Sequence, residues 1–280
     1  MTEVMVCEDS LPEAYHEALS ALYSLGELTP CPDYNTQQLE CSMTICVKHP
    51  LQEPMISKLF FGSPESLEQY TQEMLDGILD FEIDKGNWEY TYHDRMTNFH
   101  REERKNINQV QFVIDELKRN PYSRRAVISI RSADDMSIDC ADPACMQHIQ
   151  FFMRDNALHC KVLFRSNDAI EASFNNMYAL IRLQERIANE LGYEVGTYTH
   201  RANSFHCYAK DFSALEGCMN RIIDNNEELC YYYDSEDGWK PMMEEAKEEI
   251  KRKVDELYAR MVEEVREEIK RKREELNART

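Results

Sequence analysis

The chain has 280 residues, enough for one large domain or two smaller ones with a real core. Its formal net charge of -20 and pI near 4.8 exclude the broad basic surface that nucleic acid or an anionic membrane requires. An acidic protein with an anionic substrate must gather positive charge locally, and no arginine precedes Arg95.

The first predicted element is a helix from Pro12 to Leu25, with Ala14, Ala18, Leu22 and Leu25 on one face and Gly26 as its stop. Leu39 to Val47 reads as a strand, ended by Pro50 and Pro54. Ser63-Pro64-Glu65 opens a second helix, serine capping and proline in the first turn, that runs to about Leu79 on an apolar stripe of Leu67, Tyr70, Met74, Leu75 and Ile78. Residues 95–118 read as a further helix, stopped by Asn120-Pro121. Strands follow at Ala126–Ile130, His148–Met153 and Ala157–Phe164, the last two joined by an Arg154-Asp155-Asn156 turn. A long apolar helix, Ser173–Leu191, reads as central and ends at Gly192. A strand from Thr197 to Tyr208 and a surface helix from Asp211 to Ile223 complete this part. The order predicts an α+β fold, with helices packed on a mainly antiparallel or mixed sheet.

The tail differs in kind. From Pro241 to Asn277 it is dense in Glu, Lys and Arg, and Glu-Glu-Ile-Lys-Arg-Lys occurs at Glu248–Lys253 and again at Glu267–Lys272. Met243, Val254, Val265 and Leu276 recur at intervals of eleven, a period that favours a straight or slightly right-handed helix. Residues 1–236 are therefore expected to form the main domain. Residues 237–280 are expected to form a charged amphipathic helix lying on that domain or on a partner.

The ten cysteines form no disulfide framework: there is no Cys-x-x-Cys, and the Cys41/Cys46 and Cys140/Cys145 spacings suit no zinc knuckle. Reduced thiols, mostly buried as small apolar residues, are expected, and no metal. Met1–Asp9 lacks the apolar centre of a secretory signal and no apolar run spans a membrane, so a cytoplasmic location is expected, with neither membrane nor nucleic acid as a partner.

One cysteine stands out by what surrounds it. Asp142-Pro143-Ala144-Cys145 leads into the alternating segment His148–Phe152. Arg165-Ser166-Asn167-Asp168, the pair Asn175-Asn176, and Ser204-Phe205-His206-Cys207-Tyr208 follow. A thiol, a guanidinium, a carboxamide and a His-x-Tyr pair in that order resemble the active site of thymidylate synthases and their pyrimidine hydroxymethylase relatives. The likeness extends over roughly residues 86 to 215 and is closer to divergent archaeal-type synthases.

The resemblance implies a thymidylate-synthase-like homodimer that methylates dUMP at C5, with 5,10-methylenetetrahydrofolate or a tetrahydromethanopterin-type analogue as co-substrate. Cys145 would be the nucleophile that adds to pyrimidine C6, its ionisation assisted by Arg165. Arg165 and Ser166 would grip the phosphate, while Arg124 and Arg125 would reach the neighbouring subunit's phosphate. Asn176, or Asn175 one residue earlier, would read the uracil edge. His206 and Tyr208 would hold the ribose, Asn167 and Asp168 would line the substrate site with Asp168 meeting the pterin, Tyr92 would organise proton transfer, and Glu73 would be the general acid.

The sequence also departs from the family pattern. Its N-terminal phosphate-closing arginine has no counterpart, leaving Lys48 or Lys58 as substitutes; Phe164 replaces a glutamine, and Ala169–Ser173 replaces a glycine-proline loop. The competing readings are a cytidylate or deoxycytidylate hydroxymethylase using the same thiol, and a non-catalytic nucleotide-binding homologue.

Overall fold

The computed structural model describes residues 1–100, 105–224 and 228–278. In chain order the strands and helices are β1 (Glu3–Glu8), α1 (Leu11–Leu25), β2 (Glu27–Cys31), β3 (Thr36–Val47), β4 (Ile56–Ser57), α2 (Pro64–Asp76), α3 (Phe81–Asp84), α4 (Tyr92–Thr97) and α5 (Gln109–Arg119). They continue with β5 (Val127–Ser129), β6 (Met146–Arg154), β7 (Ala157–Phe164), β8 (Asn167–Asp168), α6 (Ser173–Leu191), β9 (Glu194–Tyr208), α7 (Phe212–Asp224), β10 (Cys230–Tyr231) and α8 (Trp239–Ala278).

The fold is α+β, built on a mixed sheet in the order β1-β3-β9-β7-β6-β5, with β2 added to β3 and β8 added to β9. β9 is its spine: it runs antiparallel to β3 and parallel to β7 and β8. Alternation decides the faces. Leu158, Cys160, Val162 and Phe164 of β7 are buried with Ile149, Phe151 and Met153 of β6. The intervening Lys161, Leu163, His148, Gln150 and Phe152 stay at least partly open to solvent. The ladders slip by one residue at Cys41/Met43, Met146/His148 and Leu158/Cys160, and such bulges bend strands and re-aim side chains. The second lies directly after Cys145.

Twelve of the 19 residues of α6 are buried, so it is the central helix the sequence led one to expect. Phe174 at its start meets Tyr15 of α1 and stacks on Phe60, with ring centroids 5.3 and 5.0 Å apart. Buried Gln184 donates to Leu158 O and Gly196 O, fixing the helix to two strands.

Several elements differ from expectation. The helix expected over 95–118 is two, α4 and α5. Asn98 closes the first in a non-helical conformation, Phe99 pairs with Ile107, and the Asn108 side chain accepts from Gln111 N to cap the second. Residues 101–104 of the expected helix lie outside the described residues. α2 stops at Asp76 and not near Leu79, because Gly77 turns left-handed at φ +63°, where a Cβ would collide with His93. β1 was not foreseen; it pairs parallel with β3 through the α1 crossover. The short strands β2, β4, β8 and β10 carry too little pattern to be read. All ten cysteines are free, but only Cys41, Cys160, Cys207 and Cys218 are buried, fewer than expected.

α8 begins on the body of the protein and then leaves it. Met243 and Ile250 are buried, Lys253 pairs with Glu65 of α2 at 2.6 Å, and Tyr258 meets Phe81 edge-on. The apolar stripe continues beyond as Val265 and Ile269, each 48% exposed; the Leu276 side chain lies outside the described part. Among the described residues no helix is long and apolar enough to cross a membrane.

Candidate active site

Cys145 sits at the entry to β6, half-buried, on a loop that Arg165 holds in place. The Arg165 guanidinium donates to Pro143 O at 2.6 Å and Ala144 O at 3.1 Å, and its backbone N–H donates to Cys145 O at 2.8 Å. Burial pushes the Cys145 thiol above its usual range, with Arg165 opposing and Asp142 adding to the rise. The expected ionising effect of Arg165 is present but outweighed, so the resting sulfur is a protonated thiol.

β8 and the end of β9 form the second wall. Their register places Asn167 against Phe205 and Asp168 against His206. His206 is 3% exposed; its Nδ1 faces Ser166 Oγ and Ser204 Oγ at 3.5 Å and Ser204 O at 3.3 Å, while its Nε2 is buried with no hydrogen-bond partner. A buried ring nitrogen without a partner is costly unless a ligand supplies one. Tyr208 lies edge-on to His206 with centroids 4.7 Å apart. Burial lowers the His206 pKa and raises that of Asp168, whose Oδ1 accepts from Ile170 N and Glu171 N. Asn167 differs from its expected part: it is buried, and its Oδ1 lies 2.8 Å from Nε2 of buried His200, so its amide is used inside the protein. The carboxylates of Asp168, Glu171 and Asp211 lie close together, but Lys210 pairs with the latter two.

The third wall comes from α2 and the segment before α4. Tyr70, Glu73, Met74, Leu79, Trp88, Tyr90, Tyr92 and Asp142 line a cavity of about 220 Å³. Leu79 reaches it because α2 has already ended. Tyr92 Oη accepts from Met146 N at 3.4 Å, which sets this wall beside the Cys145 loop. Burial raises the pKa of Glu73, partly countered by a hydrogen bond from Gln69 at 2.8 Å, so the carboxyl is inclined to hold a proton. The Tyr70 hydroxyl, on the helix that lines this cavity, donates to Oδ1 of Asn176, which is buried in the first turn of α6. Asn175, next to it, donates weakly to Glu171 O and its Oδ1 is buried without a partner. The role of Tyr70 was not legible: in an amphipathic stripe a tyrosine reads as core, and its partner lies 106 residues away.

Other expected residues are elsewhere. Arg124 and Arg125 are exposed at the start of edge strand β5, whose register opposes Val127 to Gln150. Continued, that ladder places Arg125 about 20 Å from Cys145, beyond a side chain's reach. Lys48 pairs with Asp9 at 2.8 Å, and Lys58 lies over the Tyr231 ring. Phe164, at the glutamine position, is buried and stacked on His200. A larger cleft, about 850 Å³, runs between α2, α6 and α8, but residues of both charges line it and none belongs to the Cys145 group.

A thiol beside a restrained guanidinium, a buried carboxamide bonded to Tyr70 and a histidine with an unsatisfied nitrogen make up the candidate centre of this α+β fold. The sequence profile of the family described as thymidylate synthase matches residues 63–232, and the chain belongs to that family. A Methanocaldococcus jannaschii protein, named provisionally as a thymidylate synthase, is 31% identical over 220 residues, covering 76% of this chain and 95% of that protein. A provisionally named Methanosarcina mazei relative is 27% identical over 76% of this chain and 93% of its own length. The thymidylate synthase of Bacillus phage phi3T is 31% identical over 115 residues, 41% of each chain.

Proposed function

We propose that this protein is a cytoplasmic thymidylate synthase that converts dUMP to dTMP through a covalent bond between Cys145 and pyrimidine C6. The observation that carries this reading is the placement of the Cys145 loop, tied down by Arg165, beside the wall on which Tyr70 meets Asn176.

On binding, the Cys145 thiol gives up its proton to water in the site and its sulfur bonds C6; the C5–C6 electron pair shifts toward C5 and O4, making C5 nucleophilic. Asn176 Oδ1 accepts from N3–H, and its amide N–H donates to O4, where negative charge gathers. Glu73, held toward its protonated form, exchanges protons with O4 through water, and Tyr92 orders that path. After substitution at C5, loss of the C5 proton and departure of the sulfur from C6 restore the ring. Arg165 and Ser166 bind phosphate, and His206 Nε2 finds its missing partner in the ribose hydroxyl, with Tyr208 beside it. Trp88, Tyr90 and Leu79 line a largely apolar cavity that suits a pterin ring, and Asp168 is the residue that would meet its polar edge. A methylene-carrying reduced pterin supplies both the one-carbon unit and the hydride when bound.

The stranded position of Arg124 and Arg125 supports a homodimer with shared sites, each pair serving the partner's phosphate. Residues 1–236 then form the catalytic unit and 237–280 its helical extension. Turnover of C5-tritiated nucleotides with methylenetetrahydrofolate is the test. Tritium release and dTMP from dUMP support the reading. Turnover of dCMP alone, to a hydroxymethylated product, would establish the hydroxymethylase alternative; turnover of neither would leave a binding protein.

A further inference from the structure

Asn176 can select uracil only if its carboxamide presents oxygen to N3–H and nitrogen to O4. Rotated by 180°, the same amide would suit cytosine, donating to N3 and accepting from the exocyclic amine. An asparagine by itself does not decide between the two, so something must fix the rotation.

We infer that Tyr70, through the hydroxyl that donates to Asn176 Oδ1, is a positioning residue that locks this amide in the uracil-reading orientation. The inference rests on the dUMP reading above. Oδ1 has two lone pairs, so it can accept from Tyr70 and from N3–H together, while the amide N–H, with no other partner among the described residues, is left for O4. In the rotated amide the NH₂ would face the hydroxyl. Tyr70 would then have to act as acceptor and turn its own proton elsewhere, yet among the described residues it has no second partner. A half-buried hydroxyl that loses its protein partner is penalised, and discrimination follows from that penalty. Burial raises the Tyr70 pKa well above its usual value, so the phenol keeps its proton and remains a donor. Around Tyr70, Thr71 donates to Leu67 O and Gln69 donates to Glu73 within α2, and Tyr90 and Tyr92 line the same cavity.

The test measures kcat/KM for dUMP and dCMP in wild type, Tyr70→Phe and Tyr70→His, by C5-tritium release, each also in an Asn176→Ala background. Removal of one buried hydrogen bond corresponds to about a tenfold change. Tyr70→Phe should therefore lower the dUMP/dCMP ratio about tenfold, and Tyr70→His, which can still donate, should hold it within about threefold. With Asn176→Ala present, the Tyr70 effect on the ratio should vanish, as a general loss of packing would not. A Tyr70→Phe enzyme active on dUMP with an unchanged ratio overturns the inference while the dUMP reading stands. If Tyr70→Phe does not fold, Tyr70→His against Tyr70→Leu carries the same comparison. Wild type inactive on dUMP would sink the parent reading first.

Discussion

The strand wall and the helix wall of the site are built in opposite ways. On the strands, Asp168, His206 and Tyr208 are placed by ladder register, with Ser166 in the short link between β7 and β8, and backbone hydrogen bonds fix the registered positions independently of their neighbours. On α2, Tyr70 and Glu73 project from a helix held by what lies behind it: Leu67, Met74 and Leu75 in the core, and Lys253 and Lys247 of α8 reaching Glu65 and Glu68. The helix wall depends on tertiary packing, and burial raises the pKa of both Tyr70 and Glu73 on it.

The largest effect should fall on neither wall. Cys145→Ser should lower dTMP formation by about 10⁴-fold or more with nucleotide binding retained, measured as kcat against dUMP affinity. Because burial raises the thiol pKa, adduct formation should speed up as pH rises toward and through that raised value, and Arg165→Gln should move the limb higher still. A limb below the ordinary thiol range would contradict the burial argument. Next comes the helix wall. Glu73→Gln should cost about 10²–10³-fold in kcat with little change in KM. Its folded pKa is raised, so its contribution to stability is full below the unfolded pKa and is lost as pH rises through the folded value. The glutamine variant should therefore melt at or above wild type at neutral pH, whereas a lower melting temperature would make Glu73 a structural residue.

On the strand wall, His206→Ala should weaken dUMP binding about tenfold with a smaller change in kcat. A dominant kcat effect would erase the contrast between the walls. Arg125→Ala should also cost about tenfold, and mixing it with Cys145→Ala subunits should restore activity, since one hybrid site is then intact. Failure to complement would place the arginines outside the site. The smallest effect belongs to α8: Lys253→Ala breaks an exposed ion pair and should leave the denaturant midpoint nearly unchanged.

What was legible in the sequence follows the same division. Cys145, Arg165 and Ser166 stood out as candidates by their residue types in order, since they lie in the links beside β6, β7 and β8, while the His206/Tyr208 pair shares a face because a strand's alternation is local. Asn167 misled for a related reason: one step along β8 reverses the face, and its neighbour Asp168 has the open side. Tyr70 was hidden, since its apolar ring satisfies a helical stripe and only the fold brings its hydroxyl to Asn176. The break between α4 and α5 was hidden too, because Asn98 and Asn108 act as caps only once Phe99 has paired with Ile107. Of the tail, the periodicity gave a helix, but not that its stripe is buried at Met243 and in water by Val265.

The central claim is the bond between Cys145 and the pyrimidine. The direct measurement incubates the protein with 5-fluoro-dUMP and methylenetetrahydrofolate, digests it, and weighs the peptides. The account predicts a ternary adduct on the Cys145 peptide that is missing from Cys145→Ser. Turnover of dUMP without such an adduct, or an adduct carried by another cysteine, would contradict it.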